Sequence, residues 1–143
     1  LRAGLYAPSG MGRQSVKLLA VQDPAAIAAL ERLNGGVLGS PEAHPFYGAP
    51  TVCVVLADAA AFTAVEDGSL ALGNLMNAAH SLGIASCWIH RAREAFASAE
   101  GKALLQQWGV EGEWIGIGHC ILGYAAEPER PAAPRLEGRI VRI

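Results

Sequence analysis

The 143-residue sequence predicts one layered α/β or α+β domain built around a β-sheet. The length is typical of a single domain. Short apolar runs alternate with segments of helical periodicity, which is the pattern of a sheet covered by helices. The composition is 52% hydrophobic and 17% charged, which is more apolar than a small monomer needs. We therefore expect part of the apolar surface to be buried against a partner or a cofactor.

Eleven segments are predicted, in chain order. They are the end of a helix over Leu1–Tyr6, a strand over Val16–Val21, a helix over Pro24–Leu33, a loop over Leu38–Pro50, a strand over Val52–Ala57, a helix over Ala64–Leu82, a strand over Ile84–Ile89, helical residues over Arg93–Trp108, a strand over Trp114–Tyr124, an extended arm over Glu127–Gly138 and a short strand-like segment over Arg139–Ile143.

The first half of the chain is punctuated by turn and capping residues. The first strand is an apolar run that follows a Gly-rich turn. The next helix has Asp23 as its N-cap and Pro24 at its first position, and the pair Gly35 and Gly36 is expected to stop it. The loop that follows holds three prolines and two glycines without periodicity.

The middle of the chain predicts the core. Val52–Ala57 is apolar on both faces, as in a central strand covered on each side. Ala64–Leu82 is a helix with only a narrow polar stripe, so it must be buried on several sides. The apolar residues that spread around it include Leu70, Leu72, Leu75, Met76 and Leu82.

The second half predicts close approaches and an arm. Gly101 is a possible break in the helical stretch Arg93–Trp108. Gly116 and Gly118 are expected on one face of the last long strand, where they let a backbone or ligand come close. Three prolines stiffen the arm that follows.

Charge limits the partners. The chain has 11 lysine and arginine residues against 13 aspartate and glutamate residues, a net charge of −2 and no run of like charge. This balance argues against nucleic acid or an anionic membrane surface as the main partner. The longest nearly uncharged stretch, Gly68–Ile89, contains several polar side chains and is a poor match to a membrane span. We expect no nucleic-acid partner and no membrane partner.

Cysteine use predicts a cytoplasmic protein. Cys53, Cys87 and Cys120 are an odd number without paired spacing, each in an apolar run, as is typical of reduced, buried thiols. No secretory segment is visible. The chain opens at Leu1, within a helical pattern and without an initiating methionine, so we expect the N-terminal helix to be incomplete.

Several kinds of site have no motif support. Gly116-x-Gly118 is followed by Ile121, so the dinucleotide fingerprint is absent, and there is no phosphate loop or nucleophile elbow. Cys87 and His90 are three apart, which on a strand points them to opposite faces, so no metal site is predicted. Glu66 and Asp67 lie at the start of the long helix, where the helix dipole stabilises negative charge. We interpret them as capping residues and not as a general acid or base.

Three segments contain polar and charged residues that a hydrophobic core does not require. Ala7–Gln14 combines small residues with a hydroxyl and directional donors, although an ordinary turn has the same composition. Ser81–Arg91 runs from a buried helix into a strand that ends in an aromatic, a histidine and an arginine. In the simpler interpretation, the aromatic residue belongs to the core and the other two are solvated. Pro131–Arg139 places two arginines on a stiff arm. One interpretation is that they bind an anion, and the other is that they are solvated.

In this order, the segments resemble the FMN-dependent nitroreductase family. The matching pieces are APSGMGRQ at Ala7–Gln14, the Phe46–Pro50 lead into an apolar strand, the helix from Glu66–Asp67 to Asn74 with its continuation NLMNAAHSLGIASCW, the HCILGY strand and the Pro-Arg ending. The resemblance implies an α+β fold with a mixed, mainly antiparallel sheet between helices. It also implies that residues 1–143 are a single FMN-binding domain of an intertwined homodimer, with FMN in each of two interface clefts.

The resemblance implies three groups of cofactor contacts. Those along the FMN ribityl chain and ring edge are Pro8, Ser9, Gly10 and Gln14. Those facing the isoalloxazine ring, largely through the backbone, are Trp88, Ile89, His90 and Arg91. The phosphate would be held by Arg135 together with Arg139. Such a division suits FMN, which needs an anion site, a polar trough and a backbone N–H near the reacting ring nitrogen.

The sequence also departs from the family pattern. The N-terminal Arg-x-Ser-x-Arg element is absent from the sequence. Gly12 stands where asparagine is usual, Ser15 where proline is usual, and Leu136 where a lysine often follows the arginine. These departures bear on FMN affinity more than on the fold.

The resemblance implies a cytoplasmic oxidoreductase that takes hydride from NADH or NADPH onto FMN and passes electrons to a small acceptor such as a nitroaromatic or a quinone. No side chain is assigned as catalytic, because the cofactor carries the chemistry. Two alternatives stay open. One is a non-redox or degenerate dimeric binding protein that kept the fold. The other is a related flavin enzyme for reductive dehalogenation or ene-type reduction.

Overall fold

A computed structural model describes residues 1–128 and 131–143, so residues 129 and 130 of the predicted arm lie outside the described residues. The helices are α1 (Arg2–Leu5), α2 (Pro24–Leu38), α3 (Ala64–Ser81), α4 (Ala92–Ala97) and α5 (Ala99–Gln107), with a 3-10 turn at Gly10–Gly12. The strands are β1 (Val16–Val21), β2 (Thr51–Asp58), β3 (Ala85–Ile89) and β4 (Trp114–Gly123). In the described part of the chain, no helix is long and apolar enough to cross a membrane.

The strands form one sheet in the order β1-β2-β4-β3, and each neighbouring pair is antiparallel. This confirms the predicted α+β fold. β2 is buried from Val52 to Ala57, as predicted for a central strand. One face of the sheet packs against α2, α4 and α5 around Leu30, Phe96 and Leu105. The other face packs against α3 through Leu72 and Leu75.

The first long helix runs further than the glycine pair predicted. α2 continues through Gly35 and Gly36 to Leu38, and Gly39 closes it in the left-handed conformation with φ 77°. The predicted stop was wrong because Gly35 serves close packing. A Cβ at Gly35 would lie 2.8 Å from the Ser40 carbonyl oxygen, so only glycine lets the chain fold back there.

The break between α4 and α5 also differs from the prediction. It lies at Ser98, not at Gly101, because the Ser98 Oγ accepts the Gly101 N–H at 3.0 Å and caps α5. Gly101 is buried, and a Cβ there would collide with the Ala95 carbonyl. Gly101 therefore lets the two short helices pack closely without interrupting either.

A β-bulge in β4 separates the two glycines that were expected on one face. Val55 pairs with Gly118 and Leu56 with Gly116, which leaves Ile117 as the extra residue. Gly116 consequently lies against the Ala92 carbonyl on the α4 side, while Gly118 lies against Trp88 and Leu72 on the α3 side. The expectation of one shared face was wrong, although both glycines do allow a close approach.

Some apolar residues predicted to be buried are exposed. On α3, Leu72 and Leu75 belong to the chain's own core, whereas Leu70 is 50% exposed, and Leu82, the residue that follows the helix, is 73% exposed. Cys53 and Cys120 are buried as expected, but Cys87 on the edge strand β3 is exposed. Residues 139–143 form no strand, because they pair with neither edge strand of the sheet, β1 or β3, and they are exposed.

Candidate functional site

Asp67 holds the segment of residues 8–15, which we call the Ser9 loop. Its Oδ1 accepts the Gly10 N–H at 2.8 Å, and its Oδ2 accepts the hydroxyls of Ser15 at 2.6 Å and Thr63 at 3.1 Å. Asp67 is only 3% exposed. One buried carboxylate thus ties both ends of the loop to the start of α3.

The Asp67 carboxylate is stabilised in its ionised form. Burial alone would raise its pKa, but the hydrogen bonds from Ser15, Gly10 and Thr63 outweigh burial and hold the pKa below its usual value. Asp67 lies in the first turn of α3, as the helix-dipole interpretation expected. Its role nevertheless extends beyond the helix, since two of its three partners belong to the loop. The neighbouring Glu66 is exposed.

The backbone of the Ser9 loop is strained. Met11 and Gln14 have φ angles of 55° and 52°, in the left-handed region that residues other than glycine rarely adopt. Gly12, with φ 67°, adopts the same region without a Cβ penalty. The Ser9 Oγ accepts the Gln14 N–H at 2.9 Å and closes the loop. Such strain persists where surrounding contacts fix the chain, and it is frequent at binding sites.

The loop borders a small cavity of about 140 Å³. Its lining includes Pro8, Ser9, Gln14 and Asp67. Gly10 lies against Thr63 so closely that a Cβ would collide with the threonine side chain. Four predicted contact residues, Pro8, Ser9, Gly10 and Gln14, are thereby brought together in one polar, small-residue turn.

The predicted ring-facing segment splits between the two faces of the sheet. Trp88 and His90 line a second cavity of about 240 Å³ on the α3 side, with Ser69. The Trp88 Nε1 is buried and has no hydrogen-bond partner among the described residues. Ile89 is buried in the core of the opposite face. Arg91 donates its Nε–H to the Asn34 Oδ1 at 2.9 Å, also on that opposite face.

A buried polar cluster behind this segment was missed by sequence reasoning. Asn34, fully buried on α2, donates its Nδ2–H to the His90 carbonyl at 2.8 Å. Its Nδ2 also lies 3.5 Å from the Nδ1 of His119, a fully buried residue of β4. The partners of Asn34 are distant in sequence. The only sign of the cluster in the sequence was therefore a polar residue next to an apolar helical pattern.

His119 is kept neutral by its surroundings. Its ring lies against the rings of Phe46 and Phe96, with centroids 5.2 and 5.8 Å away. Burial lowers the pKa of His119 to about 4, the nearby Arg91 charge adds to this, and the carbonyls of Ile89 and His90 offset it only in part.

Arg135 and Arg139 lie apart from both cavities. The Arg135 guanidinium donates to the Ala133 carbonyl two residues earlier. Both arginines line a groove whose walls, Pro134 to Ile140, all come from the same tail. The structure of one chain therefore does not bring the phosphate-binding candidates to the Ser9 loop.

The two cavities lie on opposite sides of α3. Asp67 borders the Ser9 loop cavity, and Val65 and Ser69 border the Trp88 cavity. Residues two apart in a helix point away from each other, so α3 separates the cavities. One chain thus presents three separate groups of candidate residues.

Comparison with known proteins matches residues 1–124 to the model of the nitroreductase family. A nitroreductase from Bacteroides fragilis, solved with bound FMN, is 30% identical, with the match covering 100% of this chain and 83% of that chain at a TM-score of 0.85. A nitroreductase from Desulfitobacterium hafniense, also with bound FMN, is 26% identical over 99% of this chain and 82% of that chain, again at 0.85.

An iodotyrosine deiodinase bound to FMN and 3-iodo-L-tyrosine shares the fold, at 22% identity, a TM-score of 0.72 and coverage of 99% of this chain and 82% of that chain. A comparison with curated proteins finds no match. The family model covers most of the chain. The chain belongs to the nitroreductase family.

Proposed function

We propose that this protein is an FMN-dependent oxidoreductase that takes hydride from NADH or NADPH and reduces a small acceptor such as a nitroaromatic or a quinone. The observation that carries the proposal is the Ser9 loop, a strained turn of donors locked by the buried Asp67. Membership of the nitroreductase family and the similarity to two FMN-bound nitroreductases support it.

The donor set suits FMN. The Ser9 hydroxyl accepts the Gln14 N–H but keeps its own O–H as a donor, and the Gln14 side chain is exposed, so both can meet ribityl hydroxyls. On the other cavity, Trp88 and His90 lie side by side with Ser69, so an aromatic ring and polar side chains border the same space. Gly118, where a Cβ would collide with Trp88 and Leu72, lets the Trp88 ring pack directly on the sheet and so fixes its position beside the cavity.

The residues act by binding and orienting, because the chemistry supplied by bound FMN is hydride acceptance and electron delivery. Pro8, Ser9, Gly10 and Gln14 would hold the ribityl chain and ring edge. Trp88, Ile89, His90 and Arg91 would bring their backbone to the ring and exclude water from its face. Arg135, with Arg139, would bind the phosphate through charge-assisted hydrogen bonds.

The proposed active unit is a homodimer of single domains spanning residues 1–143. Apolar side chains exposed on one chain include Leu5, Tyr6, Leu70, Leu82, Tyr124 and Ile140. Covering them with a second copy would also supply the arginines that one chain does not bring to its own loop. A dimer is expected in sedimentation at low micromolar concentration, and a monomer that still binds FMN would contradict it.

We also propose a cytoplasmic location. The three cysteines are free, including the exposed Cys87. Exposed free thiols persist in reducing compartments. Alkylation of all three thiols in denatured protein from cells lysed under trapping conditions would agree with this location, and a disulfide would oppose it.

The visible spectrum of the purified protein tests the function. We expect bound flavin that is released as FMN and that bleaches when NADH or NADPH is added without oxygen. Protein that stays colourless after incubation with excess FMN would instead favour a non-redox dimeric binding protein. Flavin that binds but is not reduced by either nicotinamide would contradict the proposed electron donor.

A further inference from the structure

One buried amide holds both residues of the turn between β3 and α4. The Asn34 Nδ2 donates to the His90 carbonyl at 2.8 Å, and its Oδ1 accepts the Arg91 Nε–H at 2.9 Å. Asn34 belongs to α2, which packs on the face of the sheet opposite to the Trp88 cavity. A single side chain thus clamps two consecutive residues of a distant segment.

The turn requires fixing because it is strained. Arg91 has φ 74°, in the left-handed region, although it carries a full side chain. A non-glycine residue stays in that conformation only where the surrounding contacts determine it. The two Asn34 hydrogen bonds supply such contacts on each side of the His90–Arg91 peptide bond.

The orientation of the amide is itself determined. With its oxygen and nitrogen exchanged, Asn34 would place an oxygen against the His90 carbonyl and an NH₂ against the Arg91 guanidinium, losing both bonds. Its Nδ2 also lies 3.5 Å from the His119 Nδ1. His119 is in turn packed against Phe46 and Phe96, so this neighbour of the amide is itself held in place.

We propose that Asn34 is a positioning residue that aims the Arg91 backbone N–H at the flavin ring, an inference that rests on the proposed function. The His90 carbonyl and the Arg91 N–H belong to one planar trans peptide and point in opposite directions. Because Asn34 draws the carbonyl toward α2, the N–H is turned toward the other side of the sheet. That side carries the cavity lined by Trp88 and His90.

The test compares Asn34→Leu, which keeps the branched arrangement of side-chain heavy atoms but removes both hydrogen bonds, with the wild type. In FMN-free protein, hydrogen exchange of the Ala95 N–H, which donates to the Arg91 carbonyl at 3.0 Å, should accelerate about ten- to a hundred-fold. In FMN-loaded protein, the reduction potential of the flavin should fall, because a donor aimed at the ring stabilises its electron-rich reduced form. Flavin reduction by nicotinamide should slow about ten- to a hundred-fold.

Two further variants separate positioning from general destabilisation. Val21→Ala removes core volume on β1, at the sheet edge opposite β3. It should lower stability while leaving exchange of the Ala95 N–H and the flavin potential unchanged. Arg91→Met removes one of the two bonds of the clamp and should change both readouts in the same direction by a smaller factor. It decides the question if Asn34→Leu does not fold.

The outcomes distinguish this inference from the proposed function. Unchanged exchange and unchanged flavin potential in a folded Asn34→Leu variant would overturn the role of Asn34 alone. A wild-type protein that binds no FMN would overturn the proposed function, and accelerated exchange in the variant would then show a clamp without a flavin to serve.

Discussion

The Ser9 loop and the C-terminal tail, residues 131–143, are predicted to bind the same cofactor, yet they are built in opposite ways. The loop is fixed from within the chain by Asp67, whose carboxylate accepts from Gly10 and Ser15. The tail is exposed throughout, and even Leu136 and Ile140 are 70% and 84% exposed. The groove that contains its arginines is made of tail residues alone.

The difference shows which part of a site one chain can complete. The loop's strained backbone is offset by buried hydrogen bonds, so its conformation is determined before any ligand arrives. The tail's apolar side chains are not covered by the described residues of this chain, so their burial requires another molecule. We therefore expect changes in the loop to lower folding stability and changes in the tail to lower cofactor affinity alone.

The largest expected effect is that of Asp67→Ala on stability. It leaves the Gly10 N–H and two hydroxyls without their charged acceptor, so the free energy of unfolding should fall by roughly 4 kcal/mol. Urea denaturation of FMN-free protein measures it. Glu66→Ala, which removes the exposed neighbouring carboxylate, should change stability by less than about 0.5 kcal/mol. Equal effects of the two substitutions would mean that Asp67 does not fix the Ser9 loop, and the loop would then differ little from the tail.

The pH dependence of stability separates the loop from the cluster behind His90. The pKa of His119 is about 4 in the folded protein against 6.5 when unfolded, so the unfolded chain binds more protons between these values. Stability should be fully present above pH 6.5 and fall by about 3 kcal/mol as the pH drops to 4. The stability contributed by Asp67, whose pKa is lowered from 3.8, should be lost only at lower pH still.

Denaturation of His119→Leu and wild type at several pH values measures this. The variant should lose the slope between pH 6.5 and 4. A slope that survives in the variant would mean that other groups take up the protons, and the buried neutral histidine would not be its cause.

Arg135→Ala should act on the cofactor and not on the fold. Loss of one charge-assisted pair with the phosphate should weaken FMN binding by about 1.5 to 3 kcal/mol, roughly 10- to 150-fold in dissociation constant. The free energy of unfolding without FMN should be unchanged, and hydride transfer in the loaded fraction should change little. Titration of FMN into apo-protein by flavin fluorescence measures the affinity.

The smallest expected effect is that of Arg139→Ala, which should weaken FMN binding less than Arg135→Ala does. Arg142→Ala, further along the same exposed tail, serves as the matched control and should leave the affinity unchanged. Equal losses for all three arginines would indicate a general effect of charge. Equal affinity of wild type and Arg135→Ala would mean that this arginine is merely solvated.

Sequence reasoning succeeded where the determining interactions are local. The strand Val16–Val21 was predicted to the residue, because an apolar run bounded by turn residues is sufficient to define it. It failed at Gly35 and at Gly116, where a close tertiary approach or a bulge, and not local conformation, requires glycine. A single sequence carries no sign of such long-range contacts.

The candidate site divides in the same way. The Ser9 loop could be recognised from its residues, but the partners of Asp67 could not, since Gly10 and Ser15 lie more than fifty residues away. Asn34 and His119 meet only because α2 and β4 pack together. The sequence predicts which segments bind the cofactor, which stays a prediction, and it gave no sign of the buried contacts that hold those segments.

The most direct test is whether the loop and the tail of one site come from two copies of the chain. Ser9→Asp adds a charge against the anionic cofactor while its carboxylate can still accept the Gln14 N–H, and Arg135→Ala weakens the phosphate site. In each homodimer, every site then carries one change and binds FMN weakly. The two variants, co-expressed with different affinity tags, yield a mixed dimer whose FMN affinity is measured by fluorescence titration. We predict that half of its sites bind FMN as tightly as the wild type, because one site receives both changes and the other neither. A mixed dimer without any site of wild-type affinity would contradict the shared site.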